Sequence, residues 1–117
     1  DDIIASGDSI LDLAYNLKKR KAKRVFAGAT FAFFTSGLEA FDKAYSEGII
    51  DHVFATNLPY TPKEVLDRPW FSQADMSKYM AFVIATLNHD QSLSYLLNPW
   101  NRIEKLLTKY RAEHPND

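Results

Sequence analysis

The chain has 117 residues, 46% of them apolar, with 14 Lys and Arg against 15 Asp and Glu for a formal charge of −1. That length suits one domain burying roughly two thirds of its unfolded surface, and the balanced charge argues against a dedicated nucleic-acid or membrane binder. The absence of cysteine excludes disulfides, thiolate nucleophiles and Cys-based metal sites and fits a reducing, cytoplasmic setting, while no apolar run is long enough to span a bilayer.

Asp1-Asp2-Ile3-Ile4 reads as the end of a strand. With no Met and no strand body before it, this opening predicts a piece of a longer protein. From Asp8 to Arg20, Ile10, Leu13, Ala14 and Leu17 fall at helical spacing and predict an amphipathic helix. Arg24 to Thr30 is a short, nearly continuous apolar run, of the kind buried on both faces in a parallel sheet. Ser36 with Glu39 three residues on has capping-box spacing, and Gly48 marks a stop, so a second helix is expected with Leu38, Phe41 and Tyr45 inward. His52 to Thr56 is another strand. Thr61-Pro62-Lys63-Glu64 predicts a capped helical turn, and Phe71 to Met76 an edge-like strand. A helix from Ser77 to about Asn88 carries Met80, Val83, Ile84 and Leu87. Asn98-Pro99 opens a last helix with Trp100, Ile103, Leu107 and Tyr110 on one stripe, suited equally to intramolecular docking or to a partner helix. Alternating helices and short apolar strands imply an α/β fold with parallel pairing, because parallel strands need crossover connections.

The stretch that carries chemistry is Asp1 to Ile10: two acids at a strand end, a Ser/Gly loop, then a helix start. In an open parallel sheet ligands lie beyond the carboxyl ends of strands. Backbone N–H groups of the helix N-terminus, with the Ser6 and Ser9 hydroxyls, make a cradle for phosphate. The carboxylates ahead of it suit sugar hydroxyls. A phosphorylated sugar fits both ends. The run Lys18 to Arg24 reads as a solvated face, its cations favoured at a helix C-terminus. His52, His89 and His114 are too scattered to hold a metal.

Two acids followed by a Ser/Thr-Gly loop and a helix resemble type I phosphoribosyltransferases and, more specifically, the ribose-phosphate pyrophosphokinases (phosphoribosyl pyrophosphate synthetases). The segments Arg24 to Gly37, Val53 to Pro59 and Asn88 to Leu97 look like the C-terminal half of the synthetases, and Ser92 to Leu96 (SxSYL) lies outside the general transferase pattern. The resemblance implies a parallel-sheet, three-layer phosphoribosyltransferase-like α/β domain, incomplete at its N-terminus. Residues 1–97 would form this ribose 5-phosphate-binding domain, and residues 98–117 a C-terminal helical extension beyond it.

It further implies a parent enzyme that transfers the diphosphoryl group of Mg-ATP to ribose 5-phosphate, giving phosphoribosyl pyrophosphate and AMP. Asp1 and Asp2 would hold the ribose hydroxyls, and Ala5, Ser6, Gly7, Asp8 and Ser9 the 5-phosphate. Ser92, Ser94 and Tyr95 would lie near a regulatory nucleotide or phosphate site. In the family, ATP, the magnesium ligands and the catalytic lysine belong to an N-terminal part, so these residues would hold no catalytic group and no metal and would be inactive alone. A homo-oligomer is expected, in the cytoplasm, without nucleic-acid or membrane partners. Alternatives are a non-catalytic regulatory or assembly paralogue of the synthetase and, further off, a type I phosphoribosyltransferase. Two residues depart from the family pattern: Asp8 stands where glycine is usual, and Phe31 where histidine often follows the threonine.

Overall fold

The structure, a computed structural model, describes residues 1–114. Its compact units are Asp1–Met76 and Ser77–Asp117. The element order is alternating, every strand pairing is parallel, and the class is the α/β one expected of a three-layer phosphoribosyltransferase-like domain.

In the first unit β1 (Ile3–Ile4) leads into α1 (Asp8–Lys19), β2 (Phe26–Ala29), β3 (Phe31–Ala32), α2 (Glu39–Ser46), β4 (His52–Thr56), α3 (Lys63–Leu66) and β5 (Phe71–Ala74). Strand β1 pairs with β3, and β2, β4 and β5 form a three-stranded sheet in that order. Only Thr30 separates β2 from β3. Its carbonyl accepts the Thr56 hydroxyl at 2.6 Å, so the extended segment 26–32 gives one edge to β4 and, two residues later, the other edge to β1.

The core lies on one face of this sheet. Val53 and Ala55 of β4 point into it with Ile4, Leu11, Phe41, Ala44, Ile50, Val65 and Trp70. Helices α1 and α2 share that face, and the Tyr15 hydroxyl donates to Glu47 at 3.0 Å across their ends. Period-two alternation puts Phe26 and Phe54 on the opposite face, about half exposed at 52% and 46%. The expectation that the strand from Arg24 to Thr30 is buried on both faces is therefore corrected: α1, α2 and α3 all give buried residues to the same face. The stripe on α1 is also shifted. Leu11 and Ala14 are buried, while Leu13 and Leu17 are exposed and border an open apolar groove of about 420 Å³ beside β2.

Two expected caps are not made. Helix α2 begins at Glu39 without a side-chain cap, because Ser36 belongs to a turn between Phe34 and Gly37, closed by a 3.0 Å hydrogen bond from the Gly37 N–H to the Phe34 carbonyl. Thr61 does not cap α3, because its hydroxyl accepts Gln73 Nε2 at 2.8 Å. Gly48 does end its segment as expected, at φ +68.

Asp51 ties three segments together. It accepts the Val25 N–H at 2.7 Å and lies 3.6 Å from Lys18 Nζ and 3.7 Å from Arg24 Nε. The Val25 hydrogen bond, helped by the two cations, holds the Asp51 carboxyl below its ordinary pKa. A carboxylate with a depressed folded-state pKa contributes stability that is fully present above its unfolded pKa, about 3.9, and is lost as pH falls through the lower folded value. Asp51→Asn therefore flattens the acid limb of a denaturation curve below about pH 4. An acid limb identical to the native one would refute this role.

The second unit holds α4 (Ser77–Asn88), α5 (Ser94–Leu97) and α6 (Trp100–Glu113). Within it, Asn98 Oδ1 accepts the Trp100 N–H at 3.1 Å, one residue ahead of Pro99, which stands at the N-cap of α6. The Tyr79 hydroxyl donates to the Leu96 carbonyl at 3.3 Å, and the Arg102 guanidinium lies over the rings of Tyr79 and Tyr95. Neither long helix has a buried residue, and of the apolar stripes read from the sequence all but the half-buried Val83 are exposed. No described helix is long and apolar enough to cross a membrane.

Candidate functional site

Because all strands run in parallel, their carboxyl ends share one edge, and the loop from Ala5 to Asp8 leaves β1 at that edge. Gly7 takes φ +91, a left-handed conformation open to glycine, and turns the chain directly into α1. The first intrahelical bond runs from the Leu11 N–H to the Gly7 carbonyl at 3.0 Å. The amides of Ser9 and Ile10 thus belong to the first turn, where N–H groups have no intrahelical acceptor. A cavity of about 120 Å³ opens here, bordered by Asp1 and residues 3–10. That is the scale of a phosphate group and well below the several hundred Å³ usual for a whole small ligand.

The structure brings Ala5, Ser6, Gly7, Asp8, Ser9 and Asp1 together around this cavity, and Asp2 is not part of its border. Asp1 Oδ1 accepts the Asp2 N–H at 2.7 Å, and the Asp2 carbonyl accepts the Phe31 N–H at 2.9 Å. The decisive local detail is Asp8. Its Oδ2 accepts the Ser6 hydroxyl at 2.8 Å, while its own N–H approaches Ser6 Oγ at 3.4 Å. A carboxylate at a helix N-terminus is favoured by the same unpaired amides and dipole that favour a phosphate. Asp8 therefore satisfies the Ser6 hydroxyl internally.

Two neighbours of the loop were not legible in the sequence. The Thr35 N–H donates to the Ala5 carbonyl at 2.9 Å, extending the β1–β3 ladder into the loop, and the ring of Phe41 lies beneath Gly7. The first depends on β3, a two-residue strand with no periodic signal of its own, and the second on how α2 packs against β1. Further along the carboxyl edge, Asn57 Nδ2 donates to Asp75 Oδ1 at 2.7 Å, and Asn57 Oδ1 accepts the Met76 N–H at 2.8 Å. Phe31 stacks against Phe33 with centroids 6.3 Å apart. In the second unit, Ser92 Oγ donates to Ser94 Oγ at 2.9 Å and accepts the Ser94 N–H at 3.2 Å, while Tyr95 is exposed. Among the described residues no group of three or more His, Cys, Asp or Glu could hold a metal ion.

Comparison with known proteins places the chain in a family. Over 98 residues, 84% of the chain, it is 35% identical to a ribose-phosphate pyrophosphokinase of Vibrio cholerae. The chain belongs to the ribose-phosphate pyrophosphokinase family. It is also 32% identical over 96 residues to the human phosphoribosyl pyrophosphate synthase-associated protein 2, and 29% identical over 96 residues to the pyrophosphokinase of Mycoplasma pneumoniae. The chain spans under a third of the length of these relatives: 30% of the Vibrio protein, 25% of the human one and 29% of the Mycoplasma one. No family model matches it.

Proposed function

We propose that the chain is the C-terminal, sugar-phosphate-binding part of a ribose-phosphate pyrophosphokinase. In that reading the parent protein transfers the diphosphoryl group of Mg-ATP to the anomeric hydroxyl of ribose 5-phosphate. The residues in hand bind and orient: Ser6, Ser9 and the first-turn amides of α1 take the 5-phosphate, and Asp1 and Asp2 take ribose hydroxyls. ATP, magnesium and the catalytic groups belong to the remainder of the parent, so these residues alone have no transferase activity. Ser92, Ser94 and Tyr95 would serve a regulatory nucleotide or phosphate site, and the parent would be a cytoplasmic homo-oligomer. The observation that carries the reading is the left-handed Gly7 turn from a parallel strand into α1, with two serines and two acids around a phosphate-sized cavity.

A second reading has its own support. The hydrogen bond from Ser6 to Asp8 places a carboxylate where the family loop has glycine, and relatives named as synthase-associated proteins match as well as several of the pyrophosphokinases. A regulatory or assembly paralogue that keeps the fold without turnover fits both facts. Calorimetry with ribose 5-phosphate separates the two. Saturable heat from the native chain supports the enzyme reading, and heat only from Asp8→Gly supports the paralogue. No heat from either at millimolar ligand removes the sugar-phosphate assignment.

A further inference from the structure

The turn that carries Ser6, Gly7 and Asp8 rests on an aromatic floor. A Cβ added at Gly7 would stand 2.2 Å from Cε2 and 2.5 Å from Cζ of Phe41, with Ile4 Cγ2 next at 3.6 Å. Phe41 comes from α2, is completely buried, and cannot easily yield. Its ring stacks on Trp70 with centroids 5.3 Å apart and planes 24° apart, and meets Phe34 edge-on at 5.0 Å. Trp70 is fixed in turn, its indole N–H donating 2.7 Å to Asp42, the residue after Phe41. Phe34 itself sits at φ +49, a conformation bulky residues seldom adopt. The residue after it, Thr35, makes the hydrogen bond to Ala5 that pins the start of the turn.

We propose that Phe41 is the positioning residue of this turn, the edge of its ring defining how deep Gly7 can sit and therefore where Ser6 and the first amides of α1 are presented. Glycine is needed at position 7 for two separate reasons, its left-handed φ and the ring beneath it. Close-packed interiors transmit such constraints, because a buried ring with rings on two sides has no free volume to move into. Removing the ring tip leaves a void under the turn, into which the chain can settle in more than one way. The consequence for a ligand rests on the sugar-phosphate reading above, whereas the conformational claim stands without it.

The test uses the 117-residue chain as Gly7→Ala, Phe41→Leu and the double variant, since leucine lacks the ring atoms equivalent to Cε2 and Cζ. Gly7→Ala lowers the melting temperature sharply in the native background and by less than half as much in the Phe41→Leu background. An equal fall in both would show that φ alone demands glycine and would overturn the proposal. Amide hydrogen exchange gives the readout that general destabilisation does not: in Phe41→Leu, exchange at Leu11 and Thr35, whose N–H groups donate to the Gly7 and Ala5 carbonyls, rises about tenfold relative to Val53 and Ala55. Uniform acceleration at all of these amides also overturns it. Should Phe41→Leu not fold, Phe41→Met, which removes the ring but fills similar space, is judged by the same exchange criterion. Inorganic phosphate added to Asp8→Gly, with and without Phe41→Leu, separates the two claims. Absent phosphate binding ends the sugar-phosphate reading while the exchange result still decides the floor, and binding equally tight with and without the ring overturns the positioning role.

Discussion

Asp8→Gly is expected to tighten binding of ribose 5-phosphate or inorganic phosphate by about five- to a hundredfold, read as a dissociation constant by calorimetry. The estimate is Coulombic. A carboxylate about 5 Å from a bound phosphate charge costs on the order of 1–3 kcal/mol at effective dielectrics of roughly 80 to 20. The same substitution frees the Ser6 hydroxyl, now donated to Asp8 Oδ2 at 2.8 Å, to serve an incoming phosphate oxygen. Salt supplies the control. Because Asp8 is exposed, raising ionic strength shrinks the difference between native and variant as the Debye length falls to about 3 Å at 1 M. An unchanged constant would mean that the Asp8 carboxylate swings clear of the bound anion and that this departure from the family pattern has no bearing on binding.

The sequence exposed the parts of this fold that rest on local signals. Strand β4 at His52–Thr56 and helix α4 at Ser77–Asn88 occupy the residues expected of them, the first from a β-branched and aromatic run, the second from sustained helical spacing. The loop was legible too, since Gly7 before an amphipathic stripe implies a turn into a helix. Hidden features all depend on contacts through space. Strand β3 is two residues long, and its partner β1 lies 28 positions away in register, Ile3 opposite Phe31, a pairing with no periodicity to betray it. Helix α5 is a single turn. Phe34 at positive φ contradicts its own intrinsic preference, and only the rings of Phe41, Trp70 and Phe71 around it explain why the chain accepts it. The displaced caps follow the same rule: Thr61 had the right spacing for α3, but Gln73 from the neighbouring strand claimed its hydroxyl. Asp8 is the instructive case at the site, because its role became interpretable only when its acceptor contact with Ser6 was visible.

Trp70→Ala is expected to produce the largest loss of stability of any single truncation in the first unit, about 3–5 kcal/mol, measured from the shift of a urea transition followed by far-ultraviolet circular dichroism. Trp70 is fully buried and touches the three phenylalanines that define the core: Phe41 stacked, Phe34 and Phe71 edge-on at 5.5 and 6.2 Å. Domains of this size have total stabilities of roughly 5–15 kcal/mol, so the truncation removes a large share. Trp70→Phe isolates the polar part. It keeps most of the ring contacts and deletes the indole N–H to Asp42 Oδ1, a bond worth about 0.5–1.5 kcal/mol net, rising to roughly 1.5–3 kcal/mol where one partner is charged. Asp42 does not lose every partner in that variant. Arg68 Nε lies 3.0 Å from the same Oδ1, close enough for ion pairing, yet lacks hydrogen-bond geometry and is itself buried without an acceptor. With the indole gone, the guanidinium can turn its N–H onto the vacated oxygen and recover part of the loss. Trp70→Phe should therefore cost less than the sum of a lost charged hydrogen bond and a lost ring, and Arg68→Met in the Trp70→Phe background should cost more than in the native one. If Arg68→Met costs the same in both backgrounds, Arg68 does not take over the carboxylate when the indole is gone, and the two contacts act on Asp42 independently.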